Sequence, residues 1–73
     1  MGINWAERKK EAFDMIENTV NEASNKDIGI DRRLLSLEIE AIYGFSEKKV
    51  IEMITGLVER NKIQVKDDLL WKR

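Results

Sequence analysis

The chain has 73 residues, 42% of them apolar and 37% charged, with thirteen basic and fourteen acidic side chains and a net charge of −1. This is the size of one small domain, and no global charge draws it to nucleic acid. It has no cysteine, histidine or proline, which excludes disulfides, Cys/His zinc sites, thiol nucleophiles and imidazole acid–base chemistry.

The first helix is expected over residues 4–25. Trp5, Ala12, Phe13, Ile16, Val20 and Ala23 recur at helical spacings, while Arg8, Lys9, Glu17 and Glu22 take the other face. Asn4 is placed to cap it, with Glu7 at the capping-box position. Its end is expected near Asn25-Lys26-Asp27, with Gly29 as the stop. Ile30 to Leu35 reads either as a short extended segment or as the start of another helix.

Ser36 reads as the N-cap of a second helix ending at about residue 43, with Leu37, Ile39 and Ile42 on its apolar side. Tyr43-Gly44-Phe45 follows as a turn in which Gly44 is free to take a positive φ. Ser46 then caps a third helix to about residue 60, whose stripe is Val50, Ile51, Ile54, Leu57 and Val58. Beyond Asn61 the period falls to two. Ile63, Val65, Leu69 and Trp71 alternate with Gln64, Lys66, Leu70 and Lys72, and Asp67-Asp68 makes the tight turn of a hairpin over residues 62–72.

The charge is unevenly spread. Residues 1–28 carry six acids and four bases, residues 29–73 eight acids and nine bases, and Gly44 to Arg73 five acids and seven bases. The drift toward the C-terminus is mildly basic. No apolar run exceeds three residues, far short of the roughly 20 needed to span a bilayer. A cytoplasmic protein is expected, with no membrane partner. With no phosphate loop, EF-hand or dinucleotide fingerprint, and little volume for a cleft, no enzymatic activity, cofactor or metal is expected.

The order helix, short extended piece, helix, turn, helix, hairpin is that of a winged helix: an α+β, mostly helical single domain with a two-stranded wing. The run Leu35-Ser36-Leu37-Glu38-Ile39-Glu40-Ala41-Ile42-Tyr43-Gly44-Phe45-Ser46 resembles that family's second helix and turn. Val50 to Ile63 resembles its third helix and the exit into the wing, with Asn61 where glycine is frequent. The resemblance spans about residues 8–73 and is closest to small archaeal winged-helix domains.

Most members of that family bind duplex DNA, with the third helix in the major groove and the hairpin on the backbone. The resemblance therefore implies a regulatory or accessory chromosomal DNA-binding protein, nucleoid-associated in the cell. With Val50, Ile54 and Leu57 inward, Lys48, Lys49, Glu52, Gly56, Glu59 and Arg60 fall outward. Ser46, Lys48 and Lys49 would reach phosphate or base edges, and Glu52 a cytosine amine. Lys66, Lys72 and Arg73 on the hairpin, with Arg32 and Arg33 before the second helix, would supply backbone contacts. Against this stand Glu52 and Glu59 on the reading face and Asp67 and Asp68 at the wing tip.

The alternative is a winged helix that joins a multiprotein assembly without touching DNA. Met53 near the outward face of the third helix, and Trp5 and Trp71 near the termini, support it. A homodimer through Trp5, Phe13 and Ile16 on the first helix would double a weak DNA surface.

Overall fold

The computed structural model describes residues 4–73. Helix α1 (Trp5–Asn25) is followed by a short strand β1 (Ile30–Asp31), then α2 (Arg32–Tyr43), α3 (Glu47–Glu59), and the hairpin strands β2 (Ile63–Lys66) and β3 (Leu69–Lys72). Each helix starts on a polar cap. The Asn4 side chain accepts from the Glu7 amide at 3.1 Å, and the Ser46 hydroxyl accepts from the Lys49 amide at 3.2 Å. Both caps stand where the sequence put them.

The start of α2 does not. Asp31, not Ser36, is its N-cap, and its carboxylate accepts from the amides of Arg33 (2.8 Å) and Leu34 (3.2 Å). Ser36 lies inside the helix, buried, with its hydroxyl donating to Glu40 Oε2 at 3.1 Å. The reason is the strand before it. Pairing of Ile30 and Asp31 with β3 delivers the chain to Asp31 in extended geometry, ready to cap, and the helix begins five residues early.

The helix ends rest on left-handed residues. Asp27 (φ 59) closes α1, with the Asp27 amide donating to the Ser24 carbonyl and the Ile28 amide to the Ala23 carbonyl. Asn61 (φ 61) closes α3 in the same pattern, a Schellman motif in each case. Gly44 (φ 74) closes α2. Gly29 is therefore not the helix stop. It sits against β3, where an added Cβ would lie 2.7 Å from Leu69 Cβ and 2.8 Å from Trp71 Cζ2.

The sheet is antiparallel in the order β1-β3-β2, so the wing has three strands rather than two. Asp67 (φ 55) and Asp68 (φ 62) form the hairpin's two-residue turn, the mirror-image type that matches strand twist. That turn sets Val65 opposite Leu70 and Gln64 opposite Trp71. Residues opposite one another share a face, so Leu70, and not Trp71, joins Ile63 in the core. Simple alternation had placed Leu70 outside. Trp71 packs behind the hairpin, its indole donating to the Lys66 carbonyl at 3.4 Å.

The core is built from every element that follows: Ala12, Ile16 and Val20 of α1, Leu35 and Ile39 of α2, Val50, Met53, Ile54 and Leu57 of α3, and Ile63 and Leu70 of the sheet. Three helices closed by a small antiparallel sheet give an α+β layout of the winged-helix kind. In this arrangement α2 and α3 pack together and leave their outer faces open.

Candidate interaction face

Helix α3 turns Val50, Met53, Ile54 and Leu57 inward. At 100° per residue, Lys48, Glu52, Thr55 and Glu59 then fall within an arc of about 60° on the opposite side, and all four are exposed. This outward stripe holds one base and two acids. Met53, expected near the outer face, is only 2% exposed and belongs to the core. Ile51, expected in the core stripe, is 41% exposed. The two exchange roles because the inward arc centres on Leu57 and Val50, about 100° from Ile51.

The same geometry gives α2 two apolar sides. Leu35 and Ile39 point into the core, with Ser36 beside them. Leu34, Leu37 and Ala41 fall within an arc of about 60° facing away from it. Leu34 is 66% and Leu37 55% exposed, and Ala41 is exposed as well. Ile42, also expected on the inner side, falls about 20° from Leu35 but is 49% exposed near the end of the helix. Between the helices runs a cleft of about 500 Å³. Arg33, Ser36, Leu37 and Glu40 form its α2 wall, and Glu47 and Ile51 its α3 wall. Asp31, Arg32 and the wing-tip Asp68 close it off.

The basic residues expected to meet DNA fall into separate groups. Lys48 is exposed on the first turn of α3, while Lys49 turns aside toward α1, in a shallow pocket with Trp5, Ala6, Lys9 and Phe45. Arg60 lies at the other end of α3, about 18 Å from Lys48 along the axis, with its guanidinium 5.9 Å from the Phe13 ring. The Lys72 ammonium donates to Asn25 Oδ1 at 2.8 Å, and its backbone amide to the Ser24 hydroxyl at 2.8 Å, which fastens β3 to the end of α1. Lys72 and Arg73 share a pocket there with Asn21, Asn25, Asn61 and Lys62. Only Arg32, Arg33, Lys48 and Lys66 remain near the α2–α3 face and the wing tip. The Ser46 hydroxyl is occupied as a cap.

Of the three residues expected to form a dimer surface on the first helix, one lies in the core. Ile16 is wholly buried within the chain, and Phe13 is half-buried between Lys9 and Arg60, with the Lys9 ammonium 5.9 Å from its ring. Trp5 is 54% exposed and leans on Phe45 at 5.8 Å, rather than lying in an inward stripe. Arg8, expected on the outer side, reaches the α2 C-terminus and donates to the Tyr43 carbonyl at 3.1 Å.

The exposed stripe of α2 is hidden in a helix that begins at Ser36, because Leu34 then lies outside it. A helix begun at Arg32 shows one apolar face too many for a single core, and that excess was the available signal. Among the described residues, no cluster of carboxylates is arranged to hold a metal ion, and no helix is long and apolar enough to cross a membrane. No protein-family model, curated protein or solved structure matches the chain.

Proposed function

We propose that the chain is a winged-helix interaction module that receives a protein partner on its α2–α3 face. The observation that supports this is the line of Leu34, Leu37 and Ala41 along the outside of α2, with Ile51 across the cleft from Leu37. Single exposed apolar residues need no explanation, but a contiguous row on one helix, rimmed by charges, is the pattern of a binding surface. A surface for DNA gains affinity from lysines and arginines that displace counterions. This face instead offers leucines, and acids on its α3 stripe.

The experiment is affinity capture from source-cell extract by the tagged chain and its Leu37→Asp variant. Leu37 lies outside the core, so the variant keeps the fold. A partner retained by the native chain and lost by the variant supports the reading. A partner held equally by both overturns it.

Duplex DNA binding is the second reading, supported by the helix-turn-helix arrangement of α2 and α3 and by Lys48 exposed on the open first turn of α3. In that reading the chain is a regulatory or accessory chromosomal factor. An amide NMR titration with a mixed-sequence duplex at about 50 and 200 mM salt separates the two. Salt-sensitive shifts on residues 46–56 and 64–72 favour DNA. Silence at the lower salt favours the interaction module.

A further inference from the structure

We propose that the occupant of the α2 stripe is a second copy of this chain, docked so that the two α2 helices run antiparallel about a two-fold axis beside Leu37. The proposal rests on the reading of the α2 face as an interaction surface and names its partner. The charge order along α2 selects that partner. Arg32 and Arg33 occupy the first turn, and Glu38 and Glu40 the second half, with the exposed leucines between them.

Arg33 and Glu40 both line the cleft, so they share one flank of α2, about 10.5 Å apart along the axis. A two-fold axis that reverses the helix keeps that flank on the same side of the pair. It sets Arg33 of each copy against Glu40 of the other, twice, with Leu37 beside Leu37 at the centre. A parallel pair, related by an axis along the helices, would carry that flank to opposite sides of the seam and form neither ion pair. Antiparallel helices also align their dipoles favourably.

The first turn of α2 is an unfavourable place for two arginines, because a helix N-terminus carries partial positive charge. Within one chain their acidic neighbours are the capping Asp31 and the cleft residues Glu47 and Asp68. Glu40 of a second copy brings a further carboxylate to Arg33. The apolar stripe supplies the affinity, and the flanking ion pairs set direction and register.

The test is sedimentation equilibrium of the full chain from about 10 µM to 1 mM, with thermal unfolding of each variant to confirm the fold. The native chain is expected to dimerise over that range, and Leu37→Asp to weaken the dimer by about tenfold or more. Arg33→Glu and Glu40→Arg are each expected to weaken it, and the double swap Arg33→Glu/Glu40→Arg to restore it. A native chain that stays monomeric throughout overturns the proposal, as does a dimer indifferent to Leu37→Asp or a double swap no better than the singles. A monomeric chain that still captures a different protein through Leu37 sinks the second copy and leaves the interaction module standing.

Discussion

Gly29 lies flat against Leu69, so close that a methyl group on its Cα would stand 2.7 Å from Leu69 Cβ. Its φ is ordinary, so the residue is glycine for room and not for backbone freedom. The space it leaves lets β1 pair with β3 and lets Trp71 close over the back of the sheet. Gly29→Ala must push this pairing apart, since the obstruction includes a Cβ rather than only the end of a flexible side chain. Overpacking of this kind is expected to destabilise by about 1–3 kcal/mol. Thermal unfolding reads it directly, because a domain of this size loses about 4–8 °C per kcal/mol. An unchanged midpoint would show that β1 can move without loss.

Asp31 links β1 to α2, and its two roles are separable. As a cap it holds two amides that water would otherwise have to satisfy, and replacement of such a cap by alanine costs about 0.5–2 kcal/mol. Asp31→Ala is therefore expected to lower the midpoint of a urea titration, while Asp31→Asn, which caps equally well, leaves it near the native value. If both variants unfold alike, the charge opposite Arg32 and Arg33 matters more than the cap.

The helices, their order and the hairpin were legible in the sequence because their signals are local: a capping side chain, a repeat of 3.6 or 2, two adjacent aspartates in a turn. Gly44 and Asn61 were likewise legible from the conformations these residue types tolerate. What escaped was set by pairing across the chain. Ile30-Asp31 becomes a strand only because β3 lies beside it, and that moves the start of α2. Leu70 enters the core because the turn's two residues invert which side of β3 faces in. The site suffered most: an inward arc centred on Val50 and Leu57 takes in Met53 and leaves out Ile51, and a stripe centred farther round, nearer Ile54, exchanges the two.

Ile16 and Trp5 on α1 are expected to respond in opposite ways. Ile16 is enclosed by the core of its own chain, so Ile16→Ala leaves a cavity and is expected to cost about 2–5 kcal/mol. Trp5 is more than half exposed, and Trp5→Ala is expected to change stability far less. Neither substitution is expected to alter the mass of the folded species in sedimentation. A folded Trp5→Ala variant that dissociates a native dimer would return the dimer surface to α1.

The wing turn is under mild strain because Asp67 and Asp68 both hold positive φ, and aspartate tolerates that region less well than asparagine or glycine. The two-residue turn of this type favours Asn-Gly. Replacing Asp67-Asp68 by Asn-Gly is expected to raise stability by about 0.5–1 kcal/mol without moving the register of Val65 and Leu70. Cross-strand amide contacts in NMR would check the register. A loss of stability would mean that the aspartates make contacts at the wing tip that outweigh the strain.

Glu52 and Glu59 decide what the outward stripe of α3 can face. Lys48 and Glu52 stand one turn apart on it, close enough to neutralise one another at i and i+4, so the stripe as a whole is acidic. Against a duplex each carboxylate would meet phosphate repulsion, and the single lysine contributes about one released counterion. Glu52→Lys/Glu59→Lys reverses the sign of the stripe while leaving every core residue in place. The variant is expected to bind mixed-sequence duplex in fluorescence anisotropy at about 50 mM salt and to lose that binding steeply by about 200 mM. The native chain is expected to show no such binding. If the native chain binds and the charge reversal weakens it, the acids are reading bases, and the DNA reading displaces the interaction module.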